Sequence, residues 1–167
     1  MELKNDLWNF ALNFYQQSGV EVSCLRLQDD YGLSINRLIY ACWCASRGIR
    51  VQPQWFSGEA GQWQQSITHP LREVRYRVRQ KKQAQTDLDS CYQALRKAEL
   101  ACEQVELALL FGQTPTDAGE TPSVQLVLDN LVCYLELTQV RFDSETELLL
   151  GPILSASNHY LVLNPPE

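Results

Sequence analysis

The chain has 167 residues, 45% of them hydrophobic and 20% charged, with a formal net charge of −6. Such values fit one globular domain with a real core, and no apolar run approaches the roughly 18 to 20 residues needed to cross a bilayer, which excludes a membrane span. The acidic balance argues against nonspecific nucleic-acid binding.

Residues 1–51 read as a three-helix N-terminal core, because apolar residues recur three and four apart on both sides of two glycine stops. Asn5 or Asp6 is suited to cap the first helix, which is expected to bury Leu7, Trp8, Ala11, Leu12, Phe14 and Tyr15 before Ser18-Gly19 stops it. From Val20 to Tyr31 a second helix carries Val20, Cys24, Leu27 and Tyr31 on one stripe, and Gly32 follows as the left-handed residue after its last turn. The third helix, Ile35 to Arg47 with Ser34 as cap, is apolar around most of its circumference. It is therefore expected to be the most buried element, with Trp43 inside.

A connection containing Pro53, Gly58 and Gly61 follows, pinned by Trp55, Phe56 and Trp63. After Pro70 the run to Phe111 contains neither glycine nor proline. One continuous helix here would be roughly 60 Å long; a cap at Thr86-Asp87 would divide it into a helix pair. In its second half Leu88, Cys91, Leu95, Ala98, Cys102, Val105 and Leu109 alternate steps of three and four, which predicts a seam against a nearly parallel helix. The expected partner is the helix from Pro122 to about Val140, striped by Val124, Leu128, Leu131, Leu135 and Thr138. Between them GQTPTDAGETP reads as a polar turn, and a last helix over 144–157, marked at Gly151-Pro152 by a kink or break, leads to an extended tail. The predicted fold is all-α: a single-domain bundle of about six helices, with a core over 1–51, one long helix or helix pair over about 70–111, and C-terminal helices over 122–157.

Cys24, Cys42, Cys44, Cys91, Cys102 and Cys133 all sit inside apolar helical patterns, which predicts reduced and mostly buried thiols. The start MELKNDLWNF lacks the basic flank and uniform apolar block of a secretory signal, so a cytoplasmic protein is expected. Cys42 and Cys44 are two apart, about 200° around a helix, and cannot share one metal. With His69 and His159 as the only histidines, neither a metal nor another cofactor is expected.

None of the motifs GxSxG, HExxH, GxxxxGK[ST] or GxGxxG occurs, and no catalytic residue is predicted. His69 before Pro70 reads as a cap or surface residue. Asp29-Asp30 stands in DDYGL and lacks the third acid of a DDxxD metal-diphosphate motif. The pair opposes the helix macrodipole, so its reading is structural, with a compensating partner expected from the next helix's N-terminus or the arginines of 72–79.

Residues 70–82 hold six cations and one acid. In LREVRYRVRQKK the stripe Leu71, Val74 and Val78 is expected to face inward and Arg72, Arg75, Arg79 and Lys82 to form a basic ridge. This ridge is either a docking surface for an acidic protein or an RNA backbone, or a face neutralised by the chain's own acids, since residues 99–147 carry ten acids and one arginine. Trp8, Trp43 and Trp63 could instead wall a small-molecule pocket, although aromatics at helical spacing are core in most cases.

LWNFAL, GVEVSCLRLQDDYGLSINRLIYACWCASRG, Trp63, His69-Pro70-Leu71-Arg72 and KAELACEQVE together resemble a proteobacterial family of about this length, catalogued as a domain of unknown function. The resemblance covers roughly residues 5–111, and in that family the C-terminal third is variable. It implies a small cytoplasmic helical protein and brings no activity, cofactor or catalytic residue. The function expected from the residues is a non-enzymatic module that binds an acidic protein through the ridge. The alternatives are a small-molecule-binding or enzymatic domain with a tryptophan-lined pocket, and an RNA- or ribosome-associated factor.

Overall fold

Helices form wherever apolar residues repeat at helical spacing in the computed structural model, which describes residues 1–82, 86–116 and 119–164. They are α1 (Asp6–Tyr15), α2 (Val20–Tyr31), α3 (Ile35–Ser46), α4 (Glu59–Trp63), α5 (His69–Lys82), α6 (Asp89–Gln113), α7 (Val124–Leu137) and α8 (Ser144–Leu163). A 3-10 turn, Pro53–Phe56, precedes α4, and a second, Thr86–Leu88, precedes α6. A π-helical turn, Gln64–Thr68, joins α4 to α5 without interruption, giving seven helices and no strand among the described residues. The protein is a single all-α domain, and none of these helices is long and apolar enough to cross a membrane.

The N-terminal core forms as its pattern predicts. Asn5 caps α1 by accepting from Trp8 N at 2.9 Å, and Gly32, at φ 71°, closes α2 in the left-handed region. In α3 every residue from Arg37 to Ala45 is buried, so this helix has no solvent face for its middle turns. Trp43 is 4% exposed, stacked near Tyr40 and tilted against Phe111 with centroids 5.6 Å apart. In α1 the buried set is Leu7, Phe10, Ala11 and Phe14; of the residues expected inside, Trp8 and Tyr15 are half-buried and Leu12 is exposed.

Helix α7 covers α3, and α8 covers α2 and part of α7. Buried Asn130 of α7 fastens this layer. Its Nδ2 donates to Ala41 O at 3.2 Å and Ile49 O at 2.9 Å, while its Oδ1 accepts from Val51 N at 3.0 Å. The chain leaving α3 thus has its backbone groups satisfied by one side chain.

Of the two alternatives open over residues 70–111 the helix pair is the one formed, with α5 and α6 folded against each other. Three expectations need correction. Helix α6 does not pair with α7; it packs on α5, the π turn, α1 and α3. Its deeply buried residues, Glu99, Glu106, Leu107, Ala108 and Leu110, include two acids, whereas Cys91 and Ala98 of the expected seam are exposed. A count of apolar spacing could not find a row containing glutamates. Helix α8 runs through Pro152 to Leu163, so the segment expected as extended is partly helical; its last three residues, 165–167, lie outside the described residues. Of the thiols only Cys24, Cys42 and Cys44 are buried, and Cys91 is exposed.

Because α3 is enclosed, Trp43→Ala should cost about 3–5 kcal/mol through lost burial and an unfilled cavity. Chemical denaturation checks this, and a variant with near-native stability would reject the central role of α3.

Candidate functional site

The π turn is the local feature that builds the site. An extra residue in the helical repeat shifts the faces of α4 and α5 relative to each other, an arrangement found often at functional sites. Here it aims Trp63 and Gln64 at neighbouring elements: Trp63 Nε1 donates to Cys102 O at 3.0 Å, and Gln64 Nε2 donates to Ser34 Oγ at 3.0 Å and Glu106 Oε1 at 3.1 Å. Thr68, at the end of the turn, is buried with its hydroxyl unpartnered among the described residues.

Glu106 is the centre of this network. It is 1% exposed and meets Arg37 Nη1 at 2.7 Å and Asn36 Nδ2 at 3.2 Å. Burial pushes its carboxyl above the usual carboxylate range, against the downward pull of the Arg37 charge. Arg37, 4% exposed, also donates from Nε to Phe56 O at 3.1 Å. Its Nη2 makes no hydrogen bond among the described residues. Gly61 lies against this pair: a Cβ there would crowd Phe56 O at 3.3 Å and stand in ordinary contact with Arg37 Nη2 at 3.7 Å.

Arg37 and Gly61 lie at the wall of a cavity of about 460 Å3 between the start of α3, the π-containing helix and α7. Other polar lining residues include Ser34, Gln64, Arg72, Glu73 and Tyr134, with His69 at the rim, and Leu33, Phe56 and Leu137 supply an apolar wall. Tyr134, 3% exposed, accepts from Ser34 N at 2.8 Å, which leaves its own proton without an acceptor among the described residues. Burial raises its pKa, so it remains a donor at neutral pH. His69 sits exposed at the rim, held below its ordinary value of 6.5 by partial desolvation and then by the charges of Arg72 and Arg37. The lining is therefore rich in donors.

The predicted ridge turns inward. Arg72 Nε meets Glu99 at 2.6 Å and its Nη2 meets Glu103 at 2.8 Å; Arg75 also pairs with Glu99, and Lys82 with Asp89. Arg79 is exposed, with no ion pair among the described residues. Of the stripe expected to face inward, Val74 is exposed and Leu71 and Val78 are half-buried. Three of the four cations thus neutralise the chain's own acids.

The tryptophans are not gathered into one pocket. Trp43 is core, Trp63 is tied to α6, and Trp8 alone joins a separate surface groove with Leu12, Tyr15, Leu25, Ile35 and Leu100. Asp29 and Asp30 are exposed, and Asp30 is balanced by Arg26 one turn earlier at 3.4 Å, not by α3 or the arginines of α5. Sequence reading missed Arg37, Gln64, Glu106 and Tyr134. The available signal was a charged residue in the first turn of the most apolar helix, which demands a partner if that turn is buried.

A comparison with protein families matches residues 6–110 to the family described as protein of unknown function, DUF2390. The chain belongs to this family. Its matched span contains α1 to α5 and nearly all of α6, including Arg37, Gln64, Arg72 and Glu106; Tyr134 lies beyond it. No curated protein and no solved structure matches the chain.

Glu99 offers the clearest pH dependence. Burial raises its pKa, but hydrogen bonds and charge from Arg75 and Arg72 outweigh this and hold it below the ordinary 4.5. A depressed carboxylate contributes stability that is present above the ordinary value and is lost as pH falls through the folded one. Glu99→Gln should therefore cost about 1–3 kcal/mol at neutral pH, and its unfolding curve should converge with that of the parent in acid. A gap that stays constant across the acid range would contradict the pairing.

Proposed function

We propose that the protein is a helical small-molecule-binding module and that its site is the cavity between α3, the π turn and α7. The observation that carries this reading is that Arg37 and Tyr134, both lining one cavity, each keep a donor, Nη2 and the phenolic hydroxyl, with no acceptor among the described residues. A ligand with acceptor atoms in the cavity can meet both donors, each such bond contributing about 0.5–1.5 kcal/mol. The cavity volume lies within the range of about 300–1,000 Å3 usual for ligand sites. Ligand-observed NMR with a fragment set checks the reading, using Leu137→Trp to fill the cavity from its partly exposed wall. Fragments should bind the parent protein and be lost from the variant; a set whose binding is unaffected by Leu137→Trp would reject it.

A second reading, an interaction module for an acidic protein, keeps support from a different set of cations. Arg79, Arg96 and Lys97 are exposed and surround a hollow on the α5–α6 hairpin together with Tyr92 and Leu100. Reversing all three to glutamate should leave the melting temperature unchanged, because exposed charges contribute about 0–1 kcal/mol, and should abolish nuclease-insensitive recovery of a partner. Unchanged recovery would reject this reading, and recovery abolished by nuclease would favour RNA.

A further inference from the structure

We propose that the groove between α1, α2 and α6, continuous with the basic hollow on the α5–α6 hairpin, docks a helical segment of a partner protein that is apolar over one half and acidic over the other. The proposal rests on the reading of the hairpin as a surface for an acidic protein and names the segment that binds.

The two depressions share a wall. Arg75, Glu99, Leu100 and Glu103 line both, so groove and hollow form one track along α6. From Tyr92 in the hollow to Leu107 in the groove the track is about 22 Å long at 1.5 Å per residue, about four helical turns. Its apolar part is built by Trp8, Leu12 and Tyr15, which follow at helical spacing on α1, with Leu25 of α2 and Leu100 of α6. Leu12, Leu25 and Leu100 come from three different helices, and all three remain exposed where they meet. Apolar residues scattered singly need no explanation, whereas a convergence of this kind marks a binding surface.

Beyond Leu100 the surface becomes basic. On the hairpin Arg72 and Arg75 are met by Glu99 and Glu103, Arg77 by Glu73, and Lys82 by Asp89, while Glu106 is spent on Arg37. Exposed Lys81 and Asp87 are of opposite sign. Among the described residues this leaves Arg79, Arg96 and Lys97 as an excess of positive charge, and all three line the hollow. The acids Glu21, Asp29 and Asp30 belong to α2, which lines the groove and contributes nothing to the hollow. Charge complementarity therefore places a partner's acids over the hollow and its apolar residues over the groove. A uniformly acidic segment, or an RNA backbone, would use the cations and leave the leucines in water.

The geometry also selects a helix. Every wall of the track is helical, and no strand edge exists among the described residues to pair with an extended chain. A partner's backbone must then satisfy its own amide and carbonyl groups, as a helix does when it lays its apolar face into a groove.

Display of random peptides, long enough for about four helical turns, against the full chain tests this. Enriched peptides should carry apolar residues at steps of three and four in one half and Asp or Glu in the other. Their affinity, read by fluorescence anisotropy, should fall at least about tenfold with Leu12→Ser plus Leu100→Ser, and equally with Arg79→Glu, Arg96→Glu and Lys97→Glu together. Added salt should weaken binding to the parent and to the serine variant, but not what remains in the charge-reversed one. All five positions are exposed, and melting verifies that both variants fold. Enriched peptides without acids, binding that either variant leaves intact, or no enrichment would overturn the proposal. A dimer of the chain that the serine pair dissolves would assign the groove to a second copy and overturn it too. If recovery of a native partner depends on the three cations but not on the two leucines, the acidic-protein reading stands and this proposal falls.

Discussion

The ion pair between Arg37 and Glu106 is the constraint on which the rest depends. Each charge is removed from water, a loss that only close geometry and additional hydrogen bonds can offset. Those bonds come from three places in the chain: Asn36 beside Arg37, the Phe56 carbonyl of the 3-10 turn, and Gln64 of the π turn. The pair therefore fixes where the connection after α3 runs and how the hairpin sits on the N-terminal core. Apolar packing alone would hold α6 near α3 without choosing its rotation. A buried pair that tolerates one register chooses it, and a role of this kind in specifying structure is better supported than a contribution to stability.

The same rotation accounts for the inward turn of the basic residues. Glu99 lies two turns before Glu106 on α6 and is also buried, so the face of α6 that meets α5 is acidic. Arg72 and Arg75 follow it in. With the guanidiniums drawn to α6, Val74 is left outside, since residues one or two apart on a helix cannot share a face. The hairpin is thus held by charge at its centre, and Arg77, Arg79, Lys81, Arg96 and Lys97 remain exposed on it. An overall charge of −6 conceals this separation.

The candidate site is a by-product of satisfying the core. Arg37 spends Nε and Nη1 on Phe56 and Glu106, which leaves Nη2 without an acceptor among the described residues; Tyr134 accepts one bond and likewise has no acceptor for its proton. Both shortfalls face one cavity, because α3 supplies Arg37 and the backbone amide of Ser34 within one turn, while α7 lies along α3 and brings Tyr134 to that amide. Family membership covers Arg37, Gln64 and Glu106, while Tyr134 comes from the part of the chain beyond the matched residues.

Periodicity by itself determined the all-α class, the three N-terminal helices with their Asn5 and Gly32 termini, and the burial of α3 and Trp43, while the cap expected at Thr86-Asp87 is instead a 3-10 turn and α6 begins after Leu88 without a side-chain cap. Those features are local: spacing, capping and turn chemistry act over fewer than about five residues. Which helix α6 would face was not local. The stripe Leu88 to Leu109 is apolar and evenly spaced, but spacing states only that a helix has a face, and glutamates paired with distant arginines made a different face the buried one. The tryptophans and the ridge were read from composition, which records charge and aromaticity without orientation. Tertiary structure alone decided that Arg72 and Arg75 point inward, that Trp8, Trp43 and Trp63 stand apart, and that Arg37 and Tyr134 share a cavity, because each depends on a partner that a long-range contact brings within hydrogen-bonding distance.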